Sequence, residues 1–368
     1  MNDLSQVLVG TTIAVTADRR ATELATALER RGAEIRHAPT LQIQSVTDDA
    51  DLAAHSRALI ARPADVVVIT TGIGFRGWVE AADAHGDAED LLDSLRSARI
   101  VVRGPKARGA VQAAGLVADW VAESETSAEI ASKLLAEGVA GQRIAVQHHG
   151  AGADGLDEAF ARAGAQVVSL VVYRWGPPPD PGRVLACVRA AAAGELDAVV
   201  FTSAPGAAAW LQVVDREQLT AAMVNQVRGG RLLAAAVGPV TAAPLQRCGI
   251  QTLQPERGRM GALIRTIIGH YSGTDGGVRT SRGRLAIRAR AAVLDGQVLR
   301  LSPSSFALLR ALLDADGGVV TRTQVLDALP GSSRDPHTAE VAVARLREAA
   351  GRDLVQTVVK RGYRLVTR

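Results

Sequence analysis

Cysteine is nearly absent: Cys187 and Cys248 are the only two in 368 residues. Neither has a second cysteine or a ligand-spaced histidine nearby, so a disulfide framework or a zinc site is excluded and no metal is expected. Both thiols are expected to be buried and inert. Long apolar runs are missing as well. With 47% hydrophobic and 22% charged residues the composition is globular, and no stretch approaches the ~20 apolar residues of a membrane helix. A membrane partner is therefore not expected. The opening MNDLSQVLVGTTIAVT has an acid where a secretory leader is basic, and no small-residue cleavage site follows an apolar core. A cytoplasmic location follows as the expectation.

Charge is unevenly placed. The net charge is +4, yet residues 281–368 hold 15 Lys and Arg against 8 Asp and Glu, which leaves 27 against 30 for residues 1–280. The basic character belongs to the tail, where a polyanion such as DNA is the natural partner, because each phosphate neutralised releases counterions. A chain of this length also exceeds what one core usually serves, so two or three domains are expected.

Residues 269–283, GHYSGTDGGVRTSRG, are rich in Gly, Ser and Thr without apolar periodicity and predict a linker, with 271–283 as its bounds. Before it, short β-branched runs alternate with Ala/Leu/Glu/Arg stretches of helical period, the pattern of βα units on parallel sheets. Strands are predicted at 12–15, 66–70, 100–103, 143–147, 167–172, 198–202 and 233–237. Amphipathic helices are predicted at 21–31 and 155–163.

One phrase occurs twice. DVVVITTGIGFRGWV from Asp65 is answered by DAVVFTSAPGAAAWL from Asp197, and IVVRGPKARGAVQAAGL from Ile100 by AAAVGPVTAAPLQRCGI from Ala234. Each member is a strand followed by a Gly- or hydroxyl-bearing turn and a helix, so two lobes of common design are expected. In open α/β sheets, ligands bind beyond the carboxyl ends of the strands. That makes Thr70, Thr71, Gly72, Thr202, Ser203 and Thr241 ligand-binding candidates, with Arg103 and Lys106 available to an acidic ligand. Simple turn formation and surface solvation are the alternatives for each. His148 and His149 are adjacent on a strand and point to opposite faces, which argues against chelation of one ion.

The ordered pieces TIAVTADR, ITTG, GPKA, RIAVQHHG, VVYRW, FTSAPG and GPVTA resemble uroporphyrinogen-III synthase over residues 10–270, about seven-tenths of the chain. The resemblance implies two α/β lobes joined by a pair of strands, one from 10–40 plus 173–270 and the other from 41–172. It implies closure of the linear tetrapyrrole hydroxymethylbilane without metal or cofactor, in a cleft whose backbone N–H groups and hydroxyls receive carboxylates. Tyr173 stands at the family's most catalytically implicated tyrosine, and Thr241 matches a family hydroxyl. The chain departs from the family at Ala107, where a threonine is usual, and at Gln147, His148 and His149, where Pro-Arg is usual. His149 thereby replaces an arginine as a ligand-binding candidate. These departures favour a ligand sensor over an active enzyme.

The tail predicts every element of a winged helix. Asp295-Gly296 turns a hairpin. Ser302-Pro303 caps a first helix with Phe306, Leu309 and Leu313 as its buried stripe, and 321–329 makes a second. A third helix, 338–349, buries Ala339, Val343, Leu346 and Ala350 and turns His337, Thr338, Val341, Arg345 and Glu348 outward. TAEVAVARLRE followed by QTVVKRGYRL is similar to the OmpR-type winged helix of response regulators, over about 85 residues. That similarity implies Val341, Arg345 and Arg347 as major-groove contacts, Lys360 and Arg361 as wing contacts, and dimers on tandem sites. Arg347 could instead serve a structural ion pair, and Tyr363 is expected in the core. Response regulators carry a phosphoacceptor aspartate at the end of a receiver strand, whereas VVVITTG and VVFTSAPG end in Thr and Ser.

The expectation is thus an α/β protein of two parallel-sheet lobes followed by a C-terminal winged helix at 284–368. Its role would be a DNA-binding transcription regulator switched by a tetrapyrrole or another anionic small molecule. The alternatives are an active synthase carrying a DNA-binding tail, and lobes that serve only as a platform for a partner protein.

Overall fold

The computed structural model describes residues 6–18, 20–45, 50–148, 150, 154–272, 277–332 and 334–367. The chain divides into two compact units, one built from residues 1–41 and 178–368, the other from 42–177.

The first unit opens with β1 (Thr12–Val15), α1 (Ala21–Glu29) and β2 (Glu34–His37), a βαβ crossover with Thr12 opposite Glu34. Alternation along β1 assigns its side chains. Ile13 and Val15 enter one apolar cluster with Leu24 and Leu28 of α1, while Ala14 enters another on the opposite face.

The second unit runs β3 (Gln42–Ser45), α2 (Ala50–Ala61), β4 (Val66–Ile69), α3 (Gly72–Ala84), α4 (Ala88–Arg96), β5 (Arg99–Val102), α5 (Pro105–Ala113), β6 (Trp120–Val121), α6 (Ser127–Glu137), β7 (Arg143–Gln147), α7 (Leu156–Arg162), β8 (Gln166–Leu170) and β9 (Tyr173–Gly176). Five of these strands form a parallel sheet in the order β6-β5-β4-β7-β8. Val67 and Ile69 pack under α2 to α5, and Val66 and Val68 pack under α6 and α7. With both faces covered, the strands read as continuous apolar runs, which is why the sequence reveals them. β3 and β9 make a separate antiparallel pair.

The chain then completes the first unit's sheet. It runs α8 (Pro181–Ala192), β10 (Ala198–Phe201), α9 (Ala204–Arg216), α10 (Thr220–Arg228), β11 (Leu233–Ala236), α11 (Pro239–Arg247) and α12 (Met260–Ser272). The parallel order is β11-β10-β1-β2. The repeated phrases become β4-α3 and β10-α9, and their aromatic anchors match. Trp78 packs edge-on against Phe75 and Trp210 against Phe201, both indoles being fully buried. Truncating either to alanine would cost about 3–5 kcal/mol.

The tail begins with an antiparallel meander, β12 (Val278–Thr280), β13 (Gly283–Ile287), β14 (Ala292–Leu294) and β15 (Gln297–Val298). Three helices follow, α13 (Pro303–Asp314), α14 (Arg322–Ala328) and α15 (Pro336–Ala350), and then the hairpin β16 (Val355–Val358) and β17 (Gly362–Leu365). This is a winged helix. Ser302 caps α13 with Pro303 at its first position, and a capping box of Thr321 and Gln324 starts α14.

The structure departs from the sequence reading in several places. The linker is shorter than 271–283, because α12 runs through Ser272 with Tyr271 buried and β12 already pairs at Val278. The buried stripe of α13 is Leu308, Leu309 and Leu312, with Phe306 and Leu313 only partly buried at its margin. α15 starts two residues before Thr338, since Asp335 accepts from the His337 N–H and Pro336 fits the first turn. Cys187 is buried as expected, but Cys248, which ends α11, is exposed.

Candidate functional site

In the second unit the turn after β4 is built from hydroxyls. Thr70, buried, donates its Oγ1 hydrogen to the Gln147 carbonyl at 2.8 Å, which ties β4 to β7. Thr71 caps α3 by accepting from the Gly74 N–H at 3.1 Å, and its own N–H donates to Gln147 Oε1 at 3.2 Å. Gly72 is demanded by packing, since a Cβ there would lie 2.3 Å from the Lys106 carbonyl oxygen. These contacts bring Thr70, Thr71 and Gly72 together with Gln147 and the backbone of the GPKA turn.

Arg103 follows β5 and is half-buried. Burial lowers its pKa from the ordinary arginine value, and Tyr173, Asp154 and Glu125 pull it back electrostatically. Arg103 and Tyr173 are therefore electrostatic neighbours. Tyr173 is 5% exposed. Trp175 meets it edge-on, and the Gly150 backbone packs so closely on its ring that a Cβ at Gly150 would clash. Lys106 is exposed in the first turn of α5, beside a buried Ala107. His149 lies outside the described residues.

Its neighbour His148 carries the clearest electrostatic feature of this unit. The ring is 1% exposed, with Nε2 2.9 Å from both Asp157 carboxylate oxygens and Nδ1 3.3 Å from Asp154 Oδ1. Burial works against the charged ring, but the two carboxylates outweigh it and push the pKa up to about 9. His148 is thus a buried cation locked in an ion triad. Nothing in the residue pattern marks this triad beyond the histidine itself, because its partners lie six and nine residues downstream.

The first unit repeats the design. Ser203 caps α9 by accepting from the Gly206 N–H at 3.2 Å, as Thr71 does for Gly74. Thr202 beside it is half-buried, and Thr241 is buried in the first turn of α11. Thr16 and Thr40 were not singled out from the sequence. Thr16 Oγ1 donates to the Val200 carbonyl and Thr40 Oγ1 to the Gly206 carbonyl, each at 2.9 Å, so both hydroxyls brace these turns. Among the described residues no cluster of His, Cys, Asp and Glu is arranged to hold a metal. No described helix is long and apolar enough to cross a membrane.

In the tail, Ala339, Val343, Leu346 and Ala350 are buried together with Ala342, while Arg345 is exposed and Val341 half-buried. Arg345 makes no ion pair among the described residues. Arg347 serves a different end from the one expected. Its Nε and Nη2 donate to the Val355 carbonyl at 3.1 and 2.9 Å, and Nη2 also reaches Thr357 Oγ1 at 2.7 Å. Two of its three side-chain nitrogens thus hold β16 to α15. Glu340 pairs with Arg322 at 3.3 Å and leaves Arg347 to that task. Lys360 and Arg361 are exposed at the wing tip beside Val359, which is 79% exposed, whereas Tyr363 is core.

Parallel α/β sheets with capped hydroxyl turns at their carboxyl ends, followed by a winged helix that exposes Arg345 on its third helix, define an α/β protein with a C-terminal DNA-binding domain. Residues 22–265 match the family model described as uroporphyrinogen-III synthase HemD, and the chain belongs to that family. Residues 296–365 match the model described as transcriptional regulatory protein, C terminal. The chain is 30% identical over 270 residues to the uncharacterized protein YjjA of Bacillus subtilis, covering 72% of this chain and 97% of YjjA. A mutant uroporphyrinogen III synthase from Thermus thermophilus superposes with a TM-score of 0.57 at 28% identity, over 70% of this chain and 97% of that one. The tail is 42% identical over 72 residues to the response regulator PmrA of Pseudomonas aeruginosa, covering 19% of this chain and 33% of PmrA. The chain therefore joins a HemD-like domain to an OmpR-type DNA-binding domain, a fusion that points to a DNA-binding regulator acting on double-stranded DNA.

Proposed function

We propose that this chain is a transcription regulator whose synthase-like lobes bind a small anionic ligand, with a tetrapyrrole carboxylate as the substrate-related candidate, and that phosphorylation is not its switch. The observation that carries the reading is α15. One edge is buried among Ala339, Val343 and Leu346, and the other leaves Arg345 exposed and unpaired among the described residues. Such a face suits a major groove, where an arginine bonds guanine or phosphate and Val341 meets a thymine methyl. Lys360 and Arg361 would reach the neighbouring backbone, and two copies would occupy tandem half-sites. In the lobes, the carriers are Thr70, Thr71, Gly72, Thr202, Ser203 and Thr241, with Arg103 and Lys106 for a carboxylate. A ligand can control DNA binding only through different affinities for two arrangements of the chain.

The retention of Tyr173 and Thr241 supports a second reading, an active synthase with a DNA-binding tail. Against it stand Ala107 in place of a hydroxyl and the engagement of Gln147 and His148 in structural bonds.

The test is selection of duplex oligonucleotides from a random pool by the full chain, followed by titration of the winning duplex across salt concentration. Specific binding whose affinity falls steeply with salt is expected. Recovery of no preferred sequence, or binding indifferent to salt, would overturn the regulator. Hydroxymethylbilane turnover well above spontaneous closure would replace the sensor with the enzyme.

A further inference from the structure

The tail does not merely follow the first lobe; it docks on it at the amino ends of β1, β10 and β11. Asp197, at the start of β10, accepts from the Thr12 N–H through Oδ2 and from the Ala289 N–H through Oδ1, each at 2.8 Å. Tyr271 donates its hydroxyl hydrogen to the Asp197 carbonyl at 3.0 Å, and Arg288 lies over the Tyr271 ring with its guanidinium carbon 4.7 Å from the centroid. Arg231 of the lobe pairs with Asp314 of α13 at 3.3 Å. Beside these contacts is a cavity of about 500 Å³, lined by Arg231, Thr252 and His270 from the lobe and by Arg288, Arg310 and Asp314 from the winged helix. That size is within the range of metabolite pockets.

The charges in its wall do not balance. Asp314 is taken by Arg231, and the single charge of Asp197, whose oxygens accept two backbone N–H groups, faces both Arg288 and Arg310 and offsets only part of theirs. Arg288 is 7% exposed and its Nε has no hydrogen-bond partner among the described residues. Arg310, half-buried on α13, makes no ion pair among the described residues. A desolvated guanidinium with an unused donor is expensive unless an acceptor arrives, and carboxylate and phosphate fit its planar fork best. We propose that this cavity is a binding site for a small carboxylate- or phosphate-bearing metabolite, held by Arg288 and Arg310 of the DNA-binding domain against the polar wall of the first lobe. The site is separate from the hydroxyl turns at the carboxyl ends of the same strands and does not depend on those turns binding anything. Because Arg288 and Arg310 come from the tail and Arg231, Thr252 and His270 come from the lobe, an occupant fastens one to the other.

The experiment titrates the full chain with inorganic phosphate in one arm and with succinate and citrate in the other, read by calorimetry and by thermal unfolding. Saturable binding with a raised melting temperature is expected in one arm. Arg288→Gln and, independently, Arg310→Gln should each weaken it about tenfold or more, the loss of one charge-assisted hydrogen bond. Thr71→Ala and Thr202→Ala, in the other proposed site, should leave it unchanged, which separates failure here from failure of the earlier reading. Should Arg288→Gln not fold, Arg310→Gln decides the matter, because its side chain is half-exposed. No saturable binding in either arm, or binding untouched by Arg310→Gln, overturns the proposal.

Discussion

The Asp197 carboxylate accepts the backbone N–H of Ala289 at 2.8 Å, so an acid at the start of a lobe strand holds the first loop of the winged helix. Its counterpart in the repeat, Asp65, does half of this, accepting among the described residues only from the Arg143 N–H at 2.7 Å in an exposed setting. Asp197→Ala leaves two buried N–H groups unpaired and is expected to cost about 2 kcal/mol or more, whereas Asp65→Ala should cost about 1 kcal/mol or less. Chemical denaturation of both variants measures the difference. Equal losses would show that the contact to Ala289 contributes nothing.

Arg345 and Arg347 are two residues apart on α15 but are predicted to fail differently. Arg345→Ala should leave the melting temperature unchanged and weaken specific DNA binding by about 1–3 kcal/mol. Arg347→Ala should lower stability by about 1–2 kcal/mol, because it abandons the Val355 carbonyl, and should loosen the wing. The pair is measured by unfolding and by duplex titration. An Arg347→Ala variant of full stability that bound DNA poorly would restore it to the contact surface.

The His148 triad makes stability depend on pH. The ring's pKa is raised from 6.5 to about 9. Its contribution is therefore complete below pH 6.5 and is lost as pH rises through 9, up to roughly 3 kcal/mol in all. Stability of the wild type should decline between neutral pH and pH 9, and His148→Gln should flatten that decline. A variant with the same slope would place the ionisation elsewhere.

Gly72 and Gly74 are neighbours on α3 with different tolerance. A Cβ at Gly72 meets the Lys106 backbone oxygen, which cannot yield without moving the GPKA turn, while one at Gly74 meets side-chain atoms, the buried Gln147 amide and Thr71 Oγ1, which would give up their mutual hydrogen bonds but leave the backbone in place. Gly72→Ala is expected to destabilise by about 2–3 kcal/mol and Gly74→Ala by less. Thermal unfolding of the two proteins ranks them.

The apolar strands were readable because a sheet covered on both faces needs buried residues at every position, as in Val66 to Ile69 and Ala198 to Phe201. The pair β3 and β9 was not, since QIQS and YRWG mix polar residues into a two-stranded ribbon with no apolar run. The first tail helix announced itself through Ser302-Pro303, whereas the cap at Asp335 went unread and the third helix was therefore expected two residues late, at Thr338. Arg347 could not be assigned from spacing, because its partner is a backbone carbonyl, which no side-chain pattern reveals. The same holds for Asp197 and Ala289, 92 residues apart. The hydroxyl turns were found from the sequence, but that Thr71 and Ser203 each close a helix start by the same bond emerges only from the coordinates.

The winged helix grips the first sheet at the end opposite Thr202, Ser203 and Thr241. Between grip and turns stand strands of four residues, about 13 Å of stiff backbone. If the turns hold the proposed ligand, its arrival would have to cross that short strut as a tilt or slide of whole strands, because so brief and hydrogen-bonded a span has little freedom to bend.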